Sequence, residues 1–144
     1  MTSPEPIILH ATAVAVAGRA LLIQGRSGAG KSGLALEMMA RGARLVADDR
    51  VVLTLEDGTL WAAPPAPLAG LIEARGLGIL HADHLPRAEV AALLDLDTPE
   101  TERLPQRRKI MLQGRNLPLL HNAAHPYFPA VLVQYLKGAA RDPS

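Results

Sequence analysis

The stretch Gly25-Arg26-Ser27-Gly28-Ala29-Gly30-Lys31-Ser32 satisfies G-x-x-x-x-G-K-[ST] at every fixed position. No other segment restricts the fold so much, because the pattern does its chemistry only where a buried strand ends and a helix begins. Both neighbours are present. Ala20-Leu21-Leu22-Ile23-Gln24 is a short apolar run that reads as a strand covered on both faces. Ser32 to Arg41 carries Leu34, Met38 and Arg41 at helical spacing among good helix formers, and Gly42 supplies a C-terminal stop. A loop so placed turns successive backbone N–H groups toward anionic oxygens, and the helix N-terminus adds partial positive charge. In such loops the lysine, here Lys31, reaches the outer phosphates and the hydroxyl, here Ser32, reaches Mg²⁺. The expected ligands are therefore ATP or a similar nucleotide, and Mg²⁺.

The rest of the chain alternates short apolar runs with turn signals. Ile7 to Gln24 reads as a β-hairpin turning at Ala17-Gly18-Arg19. Ala43 to Asp49 reads as a strand ending in two carboxylates, and Val51 to Ala62 as a second hairpin turning at Asp57-Gly58. Pro64-Pro65-Ala66-Pro67 reads as a surface loop. Leu71 to Leu80 is expected to be one strand interrupted by Gly76 and Gly78, and Arg87 to Leu96 a helix with Val90, Leu93 and Leu94 on one face. Thr98 to Lys109 is polar, and Ile110 to His121 mixes strand and turn. A last helix is expected from Pro129, with Val131, Leu132, Tyr135 and Leu136 as its apolar face. With 144 residues, no repeat and no linker, the chain reads as one α/β domain over residues 1–144. It is expected to be a phosphate-loop domain with a mixed central sheet flanked by helices.

Composition narrows the function. Hydrophobic residues at 49% and charged residues at 20% suit an ordered core, and aromatics at 3% leave Ala, Leu, Val and Ile to fill it. The lack of cysteine excludes disulfides, thiol catalysis and thiolate zinc sites, and suits a cytoplasmic location. Fifteen basic against 14 acidic residues make no field that would draw nucleic acid. No apolar run reaches the ~20 residues of a membrane span. Met1 to Pro6 has no basic residue, so no secretory signal is expected.

A phosphate-loop site commonly has an acidic group at the end of a neighbouring strand. Asp48-Asp49, after Leu45-Val46-Ala47, takes that place. One carboxylate could hold metal and the other act as a base; equally, the pair could cap a strand as turn residues. Glu73 and Arg75 stand at alternate positions of an apolar strand and should face one way, toward a site or toward solvent. His81, His84, His121 and His125 read as surface or packing histidines. Gln106-Arg107-Arg108-Lys109 is either a contact for an acidic partner or a solvated loop.

Taken in order and spacing, several of these segments resemble the catalytic domain of HPr kinase/phosphorylase. They are His10, the loop at 25–32, Val46-Ala47-Asp48-Asp49 and Leu71-Ile72-Glu73-Ala74-Arg75-Gly76-Leu77-Gly78-Ile79. That family's signature has the form Leu-Leu-Glu-x-Arg-Gly-Leu-Gly-Ile. The resemblance runs from Leu9 to Leu80, and more loosely through Glu102-Arg103-Leu104 and Gly114-Arg115-Asn116-Leu117. It implies ATP- and Mg²⁺-dependent phosphorylation of a serine on the phosphocarrier protein HPr. It implies that the loop and Lys31 bind phosphates, and that Ser32 and Glu73, beside Asp48, hold Mg²⁺. Asp49 would accept the serine proton, and His10 would lie near the phosphates. Arg75 would order the signature, and Arg103 would be the mobile catalytic arginine. Family members are also oligomeric, which implies a homo-oligomer.

Two departures stand out. Family members usually carry an N-terminal domain; here His10 lies ten residues from the start, so a short form is expected, similar to that of some α-proteobacteria. The family's phosphorylase segment reads Pro-Val-Arg-Pro-Gly-Arg, whereas Ile110-Met111-Leu112-Gln113-Gly114-Arg115 keeps only the final Gly-Arg. Phosphate-driven dephosphorylation is thereby called into question. Two other readings stay open. A small-molecule kinase needs a lid, for which only Thr98 to Lys109 is available. A non-catalytic ATP-binding regulatory module sits poorly with the presence of Lys31, Asp48, Asp49 and Glu73 together.

Overall fold

The computed structural model describes residues 4–138. In chain order its elements are β1 (Ile7–Leu9), β2 (Ala11–Val16), β3 (Arg19–Gln24), α1 (Lys31–Met39), β4 (Arg44–Ala47), β5 (Val51–Glu56) and β6 (Thr59–Ala63). They continue with β7 (Leu71–Ala74), β8 (Gly78–His81), β9 (Ala88–Pro99), β10 (Arg108–Leu112), β11 (Arg115–Asn122) and α2 (Phe128–Gly138). Nine strands form one sheet in the order β1-β5-β6-β9-β3-β2-β4, with β11 beside the second half of β9 and β10 outside β11. β3, β9 and β11 run parallel, and the remaining pairings are antiparallel. The sheet is therefore mixed, as the sequence suggests.

Alternation along the central strands feeds two cores. Ala11, Ala13 and Ala15 of β2 face one way, with Leu22, Val46, Leu53, Leu60 and Leu117. That cluster contains no helical residue, so the sheet curls and buries this face against itself. The small alanines let the curled strands come close. On the opposite face Val14, Leu21, Ile23 and Leu94 meet Ala35 and Met38 of α1 and Phe128, Leu132, Val133 and Leu136 of α2. Both helices thus lie on one face, and the expected flanking arrangement is one-sided. β2 is buried at all six positions and β3 at its central four, the double coverage expected of a strand leading into a phosphate loop.

Three expectations are corrected. Arg87 to Leu96 is not a helix but the first part of β9. A register shift skips Ala91 between the pairs Ala20–Val90 and Leu21–Ala92. This bulge changes the phase of alternation, so Ala88, Val90 and Leu93 share one core while Ala92 and Leu94 enter the other. The resulting 90–93 spacing imitates a helical period. Leu71 to Leu80 is a two-stranded hairpin rather than one strand, closed by a Leu77 N–H to Ala74 carbonyl bond of 3.0 Å. Gly76 (φ 90°) and Gly78 (φ 128°) take conformations that favour glycine there, and Arg75 lies in the turn instead of alternating with Glu73. In α2, Val133 is buried and Val131 is 43% exposed, so the apolar face is rotated from the expected one.

Beyond β9 the polar segment 100–107 is tied at its base. The Glu100 side chain is only 7% exposed; Arg108 Nη1 donates to its Oε1 at 2.6 Å, and the Thr101 and Glu102 amides donate to its Oε2. Arg108, then the Glu102 and Thr101 amides, hold the Glu100 carboxyl below its ordinary value of 4.5. The clasp is therefore complete above that value and opens as pH falls through the lower, folded one. In Glu100→Gln, trypsin should cut after Arg103 and Arg107 several-fold faster, while Tm shifts by less than about 4 °C. In the unaltered chain, the Thr101 and Glu102 amide resonances should titrate below pH 4.5; a midpoint at or above that value would contradict the clasp.

Candidate active site

The loop after β3 is shaped by three glycines, one needed for close packing and two for backbone conformation. A Cβ on Gly25 would lie 3.0 Å from Ala29 Cβ and 3.2 Å from Leu96 Cβ, so a side chain here would press the loop away from the end of β9 by a few tenths of an ångström. Gly28 (φ 82°) and Gly30 (φ 100°) meet nothing at a Cβ; their need is for left-handed backbone. The Leu34 N–H to Gly30 carbonyl bond, 2.9 Å, starts α1 directly from the loop. Lys31 is buried, and its Nζ donates to the Gly25 and Arg26 carbonyls at 2.9 and 3.1 Å. The cation is thus held on the loop's own backbone. Arg26 is gripped from β9: Asp97 accepts its backbone N–H and its guanidinium, each at 2.9 Å.

Asp48, just past β4, is buried at 8% exposure and joins four elements. Its Oδ1 accepts from Thr12 of β2 at 2.9 Å and from Ser32 of α1 at 2.7 Å, and its Oδ2 accepts the backbone N–H of Glu73 in β7 at 3.0 Å. A buried carboxylate is tolerable when donors meet its charge, and here three do. Asp49 next to it is 61% exposed and has φ 69°. The Arg50 N–H donates to the Asp48 carbonyl at 2.8 Å, closing a three-residue γ-turn around Asp49, a strained conformation. His10 Nε2 lies 2.9 Å from Asp49 Oδ1. An ionised carboxylate only accepts, so that nitrogen carries the proton and donates.

Of the expected site residues, Lys31, Ser32 and Asp48 are thus linked in one neighbourhood, with Asp49 and His10 paired beside them. Glu73 joins through its backbone; its side chain is exposed and makes no hydrogen bond or ion pair among the described residues. Arg103 is exposed in the segment leaving the C-terminal end of β9 and makes no such bond either. Ser27, Gly28 and Ala29 lie in the loop between Arg26 and Lys31. The donor set suits Mg²⁺. Ser32 Oγ and Asp48 Oδ1 are adjacent hard oxygens, and among the described residues no three His, Cys, Asp or Glu cluster into a protein cage. Mg²⁺ typically takes one or two carboxylates and leaves its other positions to phosphate oxygens and water.

Residues 3–88 match the family described as HPr Serine kinase C-terminal domain. The chain belongs to that family. The HPr kinase/phosphorylase of Streptococcus thermophilus is 51% identical over 77 residues, 53% of this chain and 25% of that protein. The HPr kinase/phosphorylase of Streptococcus sanguinis is 34% identical over 157 aligned positions, 91% of this chain and 50% of that protein. The solved Hpr(Ser) kinase/phosphatase of Coxiella burnetii superposes with a TM-score of 0.79 at 27% identity, covering 91% of this chain and 88% of that one. The chain spans a quarter to a half of the length of the curated relatives it matches.

In this family member the sequence reading overlooks two residues. Thr12 is the lone hydroxyl in the apolar run from Ala11 to Val16, a signal in itself, because a fully buried hydroxyl needs a partner. Asp97 falls just past the expected helix Arg87 to Leu96 and carries no signal there; on a strand parallel to β3 it stands beside the phosphate loop. Thr12→Val preserves shape and removes one donor from Asp48. It should cost about 1–3 kcal/mol, while Thr12→Ser stays near the parent in urea unfolding. Equal stability of Thr12→Val and the parent would show that the bond contributes nothing.

Proposed function

We propose that this chain is a Mg²⁺-dependent kinase that transfers the γ-phosphoryl group of ATP to a serine hydroxyl of HPr. The observation that carries this reading is the placement of an exposed carboxylate, Asp49, one residue from the buried carboxylate that anchors Ser32 of the phosphate loop. The loop amides and Lys31 bind the phosphates, with Lys31 exchanging its two carbonyl acceptors for phosphate oxygens. Ser32 and Asp48 are suited to hold Mg²⁺, with the Glu73 carboxylate at the adjoining strand. When bound, the metal neutralises charge on the phosphates. Asp49 accepts the serine proton as the serine oxygen bonds to the γ-phosphorus and the bond to the ADP oxygen breaks. His10, donating to Asp49, orients that carboxylate. Arg103, on its clasped segment, is the proposed arginine for the transferred phosphoryl charge.

The exposure of Asp49 and His10, 61% and 58%, favours a protein acceptor over a small molecule, which a lid would enclose. A cytoplasmic location and assembly into a homo-oligomer belong to the proposal through the family resemblance. The kinase direction is favoured by the β10–β11 turn. Gln113 there has φ 50°, whereas the proline of the family's phosphorylase segment fixes φ near −65°. This turn therefore differs from one built on Pro-Gly, and only Arg115 remains of that segment's two arginines.

Incubation with HPr, ATP and Mg²⁺ should add one phosphate to HPr by intact mass, and Lys31→Ala should abolish it. No transfer by the parent would favour a non-catalytic module, and transfer to sugars or nucleosides instead a small-molecule kinase. Asp49→Asn keeps the side chain's size and shape and removes its charge. It should bind nucleotide as the parent does and lose transfer by about 10²-fold or more. Glu73→Gln should instead raise the Mg²⁺ concentration needed for half-maximal rate; identical defects in the two variants would remove the division of roles. With excess inorganic phosphate, dephosphorylation of serine-phosphorylated HPr should be far slower than the forward reaction. Comparable rates would show that the missing arginine is dispensable.

A further inference from the structure

We propose that the cavity between the phosphate loop, α1 and the start of α2 seats the nucleoside half of the donor. This rests on the nucleotide reading of the loop given above. The cavity is an open depression of about 320 Å³, within the ~300–1,000 Å³ of small-molecule sites. Ala29 and Gly30 of the loop form part of its wall, so a ligand there is continuous with one on the loop amides. It also lies on a particular side of β3. Asp48, just past β4, and its donor Thr12, on β2, lie on one flank, while the cavity takes Leu96 and Asn122 from the ends of β9 and β11, on the other. An elongated ligand across the carboxyl ends of the parallel strands would place its phosphates at the loop and its head in the cavity.

The lining selects the head group. Among the described residues its one charged side chain is Glu37, so no lysine or arginine of those residues lines it to receive a further phosphate or carboxylate. Leu34, Leu96 and Phe128 supply apolar surface for a planar ring. The His125 ring is packed between aromatic neighbours, its centroid 3.9 Å from that of Tyr127 in a tilted contact and 5.5 Å from that of Phe128 in an edge-on one. Its Nδ1 is buried and has no hydrogen-bond partner among the described residues, a cost that a ligand could remove. The Asn122 amide spends one N–H on the Leu96 carbonyl and one lone pair on the Ala124 N–H. It keeps one donor and one acceptor. Apolar walls, an aromatic cluster and a few uncommitted polar atoms describe a site for an uncharged heterocycle with a hydrogen-bonding edge, the base of a nucleotide.

The test compares ATP with inorganic tripolyphosphate, each with Mg²⁺, by calorimetry on the parent chain and on His125→Ala. Tripolyphosphate keeps the charge and lacks the nucleoside. The parent should bind ATP about tenfold more tightly or better, and His125→Ala should lose about tenfold for ATP and less than about twofold for tripolyphosphate. Equal affinities in the parent, or equal losses in the variant, would overturn the proposal while leaving the phosphate loop intact. Binding of neither ligand would overturn the loop reading and this inference with it. Should His125→Ala fail to fold, photolabelling of the parent with 8-azido-ATP decides: adducts within residues 122–129 or on Leu34 support the site, and adducts confined elsewhere overturn it.

Discussion

A single buried carboxylate organises the reactive end of this molecule. Asp48 carries a negative charge out of water, and the three donors that make its burial tolerable come from β2, α1 and β7. These elements are far apart in sequence and are brought to one atom group by one requirement. The start of the helix that follows the phosphate loop, the signature hairpin and the buried strand β2 are consequently held in fixed relation before any ligand arrives. Preorganisation of this kind lets a polar site act without rearranging its dipoles during reaction.

The phosphate loop, its two flanking elements and the acidic pair were legible because each rests on local chemistry. Glycine at positive φ, a continuous apolar run and a strand ending in aspartates are all features that neighbours in sequence determine. β9 was illegible for the opposite reason. Its Ala- and Leu-rich composition favours a helix, and the bulge at Ala91 breaks the period-two pattern that would have announced a strand. What decides the matter is non-local: pairing with β3 on one side and with β6 and β11 on the other. The loss was compounded, since the strand reading alone brings Asp97 to the loop and Leu96 to the neighbouring cavity.

The same contrast applies to the signature at 71–79. Its glycines are visible in the sequence, but whether they interrupt a strand or reverse it depends on the partner of Leu71, which is His81. Reversal places Glu73 and Arg75 differently. Glu73 remains on a strand whose backbone is tied to Asp48, while Arg75 goes to the exposed turn. His125 is legible only as a packing residue; its ring contacts with Tyr127 and Phe128, and the burial of its Nδ1 without a partner among the described residues, belong to the three-dimensional structure.

The γ-turn at Asp49 sets stability and chemistry against each other at one residue. A side chain at φ 69° stores strain of about 1–3 kcal/mol, which glycine would release. Selection for a sturdier fold alone would therefore erase the carboxylate, and a library screened only for heat resistance should be enriched in glycine at position 49. With aspartate in such a place the molecule is less stable than its backbone allows.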